Sequence, residues 1–67
     1  MKTVIYKRLG DFYTTTEDNF NANLTNARLV HKAENFETPE EIIEYYCKWF
    51  SSTREDFIIH SSCKEEQ

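Results

Sequence analysis

Four side chains with zinc-compatible donors, His31, Cys47, His60 and Cys63, stand in one chain of 67 residues. Structural zinc sites take their ligands in close pairs such as C-x₂₋₄-C or H-x₃₋₅-H, and the nearest pair here, His60 with Cys63, stands alone. No metal site is expected, and no cofactor is implied. Ser61 and Ser62 follow His60 directly, but no glycine-framed elbow strains and exposes either hydroxyl as a nucleophile. The adjacent acids Glu40 and Glu41 diverge by about 100° around a helix axis, so they cannot share a reacting group. A single glycine, Gly10, cannot build a phosphate-cradling loop. A chain this short also has difficulty enclosing the several hundred Å³ typical of a small-molecule site. Binding, without catalysis, is the expected mode of action.

Charge is distributed unevenly. The net charge is −4. Residues 1–32 hold five Lys or Arg against three acids, whereas residues 33–67 hold three against nine. Glu34, Glu37, Glu40, Glu41, Glu44, Glu55 and Asp56 therefore define an acidic region, set beside a weakly basic N-terminal segment. Part of that clustering is ordinary, because acids near a helix N-terminus are stabilised by the helix dipole. Glu37, Glu40, Glu41 and Glu44 are nevertheless the residues expected to form an electrostatic patch for a protein partner with a basic surface. Tyr6, Arg8 and Tyr13 are the anchors expected on the opposite half, since exposed Tyr and Arg are enriched at interface hot spots. The alternative use of Lys2, Tyr6, Lys7, Arg8, Tyr13 and Arg28 is nucleic-acid binding, by stacking and phosphate contacts. The negative total charge and the lack of a sustained basic stripe argue against it. Tyr6 and Tyr13 are more simply read as a cross-strand aromatic pair.

The elements that would position these residues follow from residue pattern. Thr3 to Leu9 is rich in β-branched and aromatic residues and predicts a strand. Gly10-Asp11 predicts a II′ turn into a second strand, Phe12 to Thr16. Glu17 to Asn26 is read as a structured loop pinned by Phe20, Ala22 and Leu24, with room for a short helical turn. Arg28 to Ala33 predicts a third strand. Thr38 as N-cap, Pro39 at N1 and Glu41 closing a capping box start a helix over Pro39 to Ser51. Its stripe of Ile42, Ile43, Tyr46, Trp49 and Phe50 is expected to cover a sheet. Asp56 to Cys63 alternates as a final strand, and residues 64–67 are read as a frayed tail.

The resulting order, β-β-β-α-β, predicts an α+β fold: a small three- to four-stranded, mainly antiparallel sheet with one helix on one face. Residues 1–67 are read as a single domain, since two cores would leave each half too small to offset its chain entropy. Even one core is marginal at this size, and homodimerisation through a sheet edge is a separate expectation. No apolar run approaches the roughly 18 residues of a membrane span. The opening Met1-Lys2-Thr3-Val4-Ile5 turns polar by Lys7, so no signal peptide is read and a reducing cytoplasm is expected for Cys47 and Cys63. The Asn23-Leu24-Thr25 sequon is then incidental.

The hairpin, the Asn-rich loop, the segment Asn26-Ala27-Arg28-Leu29-Val30 and the capped helix Thr38-Pro39-Glu40-Glu41-Ile42-Ile43-Glu44-Tyr45-Tyr46 resemble, in their layout, the short accessory proteins of bacteriophages and bacterial mobile elements. The resemblance implies a stoichiometric factor that binds and redirects a host protein of restriction, CRISPR, repair or transcription machinery. Inhibition of a nucleic-acid-handling host protein, in the anti-CRISPR or anti-restriction manner, is the specific expectation.

Overall fold

The computed structural model describes residues 2–23, 26 and 28–64. The chain runs through β1 (Thr3–Arg8), β2 (Asp11–Thr16), α1 (Glu17–Asn21), β3 (His31–Ala33), α2 (Pro39–Phe50) and β4 (Phe57–Ile59), with 3₁₀ turns at Arg54–Asp56 and Ser61–Lys64. The four strands form one mixed sheet in the order β3-β2-β1-β4, an α+β layout with α2 as its main helix. β1 pairs antiparallel with β2, and β2 antiparallel with β3, whereas β4 lies parallel to β1. β3 and β4 therefore point the same way from opposite edges. A parallel return of that kind needs a long crossover, which α2 supplies.

The hairpin register pairs Arg8 with Asp11, which leaves Leu9 and Gly10 as the two loop residues. Both have positive φ, 53° and 85°. That is the signature of a type I′ turn, one residue earlier than the II′ turn expected at Gly10-Asp11. The I′ form matches the right-handed twist of the flanking strands, and Leu9 carries the strain of the left-handed conformation to obtain it.

Strand alternation divides the sheet into two faces. Ile5 and Phe12 face α2 and form the core cluster with Ile42 and Ile43, flanked by Ala33, Phe36, Tyr46, Cys47, Phe57, Ile59 and Cys63. Ile5 and Ile42 are fully buried, each contributing about 1.5–3 kcal/mol by removal from water. Val4 and Thr15, paired across β1 and β2, are buried on the opposite face. There the Thr15 hydroxyl donates to the Leu29 carbonyl at 2.8 Å, tying the α1–β3 connection down over the sheet.

Each helix start has a local cause. Thr16 caps α1 by accepting the Asn19 N–H at 3.2 Å, so the segment expected as a structured loop contains one short helix. Thr38 caps α2 by accepting the Glu41 N–H at 3.3 Å, with Pro39 in the first turn. The reciprocal bond expected of a capping box moves back one residue, as Glu41 Oε1 accepts the Glu37 N–H at 2.8 Å. α2 ends at Phe50, where Ser51 turns left-handed (φ 57°, ψ 29°).

β1 ends one residue before the expected Leu9, and β3 and β4 fall further short of their expected spans. β3 starts at His31 because Arg28 and Leu29 are held in a turn, with the Arg28 N–H on Asn26 Oδ1 (2.9 Å) and the Leu29 N–H on the Asn26 carbonyl (2.9 Å). β4 stops at Ile59 because the next residues leave the ladder. The Lys7 N–H is taken by Ser62 Oγ at 2.9 Å, and residues 61–64 coil into a 3₁₀ turn in place of the expected strand. Lys64 closes that turn. The expectation of a frayed tail over 65–67 and the Leu24-Thr25 part of the sequon lie outside the described residues.

Candidate functional site

The expected helical stripe is buried only in its first half. Ile42 and Ile43 are enclosed, yet Trp49 is 63% exposed, Phe50 62% and Tyr45 43%. This corrects the expectation that Trp49 and Phe50 cover the sheet. Trp49 and Phe50, in the last turn, lie outside the core cluster that Ile42 and Ile43 form with Ile5 and Phe12.

What the helix end presents is a connected aromatic ridge. From the sheet outwards, Phe57 meets Tyr46 edge-on at 5.7 Å, Tyr46 meets Phe50 at 5.4 Å and Tyr45 at 5.9 Å, and Tyr45 reaches Trp49 at 6.4 Å and Phe36 at 5.6 Å. Such ring contacts fix side-chain orientation, each adding about 0.5–1.5 kcal/mol. The exposed rings are thereby oriented by contact with the partly buried Phe36, Tyr46 and Phe57. An open groove of about 400 Å³ runs beside the ridge between the β3–α2 connection and the helix, lined by Glu34, Asn35, Phe36, Tyr45 and Tyr46.

Charges border the ridge. Glu37, Glu40, Glu41 and Glu44 are all exposed. At 100° per residue, Glu41, Lys48, Glu44 and Glu40 lie progressively further round one side of the helix from Tyr45, by about 40°, 60°, 100° and 140°. Lys48 Nζ sits 5.5 Å from the centre of the Trp49 ring, a cation–π contact.

The residues singled out on the hairpin lie elsewhere. Tyr6, Arg8 and Tyr13 share the sheet face opposite α2, with the Tyr6 and Tyr13 rings stacked across the strands at 5.6 Å. Phe20 of α1 packs on Tyr6 at 5.3 Å and on the His60 ring at 4.9 Å. This cluster partly buries Tyr6 and raises its phenol pKa; nearby Arg8 pulls the other way, and Tyr13 adds to the rise. The seven expected partner-binding residues thus form two groups on opposite faces of the molecule. The acidic group adjoins the aromatic ridge, of which Tyr46, Trp49 and Phe50 belong to the stripe expected to cover the sheet and Tyr45 does not. A signal for it was present: Tyr45, Tyr46, Trp49 and Phe50 spread over an arc wider than one buried stripe requires.

The groups with chemical potential do not converge. His31 and His60 lie on opposite edges of the sheet, at β3 and just after β4. Cys47 and Cys63 are both thiols at the margin of the core, and the Cys63 thiol donates to the Ile5 carbonyl at 3.4 Å. Among the described residues no three of His, Cys, Asp and Glu come together in a way that could hold a metal ion. Ser62 and His60 do approach, with Oγ 2.9 Å from Nδ1. The Ser62 N–H also donates to Nδ1 at 3.1 Å, which puts the imidazole proton on Nε2. Since Ser62 Oγ simultaneously accepts the Lys7 N–H, the pair acts as a clasp between the 3₁₀ turn and β1.

The fold and surface define a small α+β domain with a pre-organised aromatic ridge at one helix end. Among the described residues no helix is long and apolar enough to cross a membrane. Comparison with protein-family models, with curated proteins and with solved structures gives no match.

Proposed function

We propose that the chain is a non-enzymatic binding module that docks a protein partner through the ridge of Tyr45, Trp49 and Phe50, with Glu37, Glu40, Glu41 and Glu44 as an acidic border. The observation that carries this reading is the exposure of three large aromatic side chains linked by ring contacts to the partly buried Phe36, Tyr46 and Phe57. At 150–250 Å² per ring, their open fractions expose on the order of 250–400 Å² of aromatic surface, comparable to the largest apolar patch of a typical monomer, which is often functional. Tyr and Trp are hot-spot residues because they bury much area at little entropic cost. The acidic border would steer and orient a partner with basic surroundings more than it would add affinity. The activity that joins this surface to the layout resemblance is stoichiometric inhibition of a nucleic-acid-handling host protein, whose binding groove is basic.

The test is capture from host lysate at about 0.1 M and 0.5 M salt, spanning strong and weak screening of surface charge. Wild type is compared with Trp49→Ala and with Glu41→Lys/Glu44→Lys. A captured protein that is lost with Trp49→Ala, and whose nucleic-acid binding falls on stoichiometric addition of this chain, supports the proposal. Nucleic acid retained without protein would overturn it and assign the role to the Tyr6, Arg8 and Tyr13 face.

A further inference from the structure

We infer that the aromatic ridge is self-complementary, so that a second copy of this chain covers it in the free protein by antiparallel packing of α2 against α2 around a two-fold axis near Tyr45. The inference rests on the reading of the ridge as an interface and names its occupant when no other partner is bound. Glu41 and Lys48 lie on one flank of the helix, seven residues and about 10.5 Å apart along the axis, with Tyr45 between them. An antiparallel mate placed about that midpoint brings Glu41 over Lys48 of the second copy and Lys48 over Glu41 of the second copy. Two equivalent ion pairs then flank a centre of Tyr45 and Trp49, and an isologous interface requires that reciprocity. Glu44 lies about 40° beyond Lys48 on the same side and level with the two-fold axis, so the two Glu44 carboxylates face each other at the edge of the contact and limit its strength, while Glu40 points away.

Area and core size point the same way. The exposed parts of Tyr45, Trp49 and Phe50 from two copies supply roughly 500–800 Å² of aromatic surface, and the bordering charged side chains extend this towards the low end of specific interfaces. Association is therefore weak and reversible, as a cover that yields to another partner requires. Among the described residues the buried apolar side chains are Val4, Ile5, Phe12, Ile42 and Ile43. A domain with so few commonly gains stability by oligomerisation.

Trp49, the sole tryptophan of the chain, reports on the site directly. Sedimentation equilibrium from micromolar to millimolar concentration is expected to move from the 8.0 kDa monomer to a species of twice that mass. The Trp49 emission should shift to shorter wavelength over the same range. Glu41→Lys and Lys48→Glu should each weaken dimerisation by about tenfold through loss of both pairs, and the combined charge swap should recover it. A chain that stays monomeric at millimolar concentration overturns the inference, as does a dimer indifferent to both single reversals. Retained capture of a partner that is lost with Trp49→Ala would then show that the ridge still serves a different protein. A charge-sensitive dimer whose partner capture ignores Trp49→Ala would sink the proposed function and leave the dimer standing.

Discussion

The Lys7 backbone N–H donates to Ser62 Oγ at 2.9 Å, joining two residues 55 positions apart. This bond ends the parallel pairing of β4 with β1, since the serine side chain takes the donor that a further strand residue would have used. It also positions Ser62 to donate to His60 Nδ1, so that one serine holds the C-terminal turn against the first strand.

Ser62→Ala removes an acceptor from a half-buried backbone donor, and the expected cost is about 1–2 kcal/mol. For a domain of this size each kcal/mol lowers the melting temperature by roughly 4–8 °C. Thermal denaturation measures the loss. Hydrogen exchange at Lys7 should accelerate more than at Ile5, whose residue lies within the β4 pairing. Equal acceleration would place the effect outside this bond.

Leu9 occupies the first position of the I′ turn at φ 53° and is 90% exposed. A leucine there bears left-handed strain and buries nothing in return, whereas asparagine tolerates that backbone. Leu9→Asn is expected to stabilise the fold by about 1 kcal/mol in urea titration. Loss of partner capture by this variant with the stability gain intact would show that the exposed leucine serves binding.

Tyr6 gives a pH dependence with a definite sign. Burial raises its pKa in the folded state above the ordinary tyrosine value of 10.0, with Arg8 opposing and Tyr13 assisting. The folded state therefore holds the phenol proton more tightly than the unfolded chain. The associated stability is fully present below pH 10 and is lost as pH rises from about 10 through the folded-state value. The melting temperature should fall over that alkaline interval, and Tyr6→Phe should flatten the part of the fall due to this residue. Absorbance titration at 295 nm checks whether one tyrosine ionises later than in the unfolded chain.

The parts of the fold legible in the sequence were those set by local chemistry. Thr38, Pro39 and Glu41 place the start of α2, and β-branched runs on either side of Gly10 make the hairpin in which Tyr6 and Tyr13 stack. What was not legible depended on distant partners. The end of β4 is set by Ser62 reaching Lys7, and the start of β3 by Asn26 holding Arg28 and Leu29. The candidate site was misassigned for the same reason. Periodicity places Trp49 and Phe50 in an apolar stripe, but which part of that stripe is covered depends on residues such as Ile5 and Phe12 that other parts of the chain bring to it.

That difference between stripe and core is measurable. Ile42 is fully buried on α2, and Ile42→Ala should cost about 2–5 kcal/mol, enough to unfold a domain of marginal stability. Trp49 lies seven residues later on the same helix, where truncation removes mostly solvent-exposed surface. Trp49→Ala in a dilute, monomeric sample should therefore cost less than about 1 kcal/mol in urea titration. If the two substitutions destabilise the dilute protein equally, the ridge belongs to the core and the interface proposal loses its foundation. If only Ile42→Ala does so, Trp49 sits at the surface without contributing to monomer stability, as the interface proposal requires.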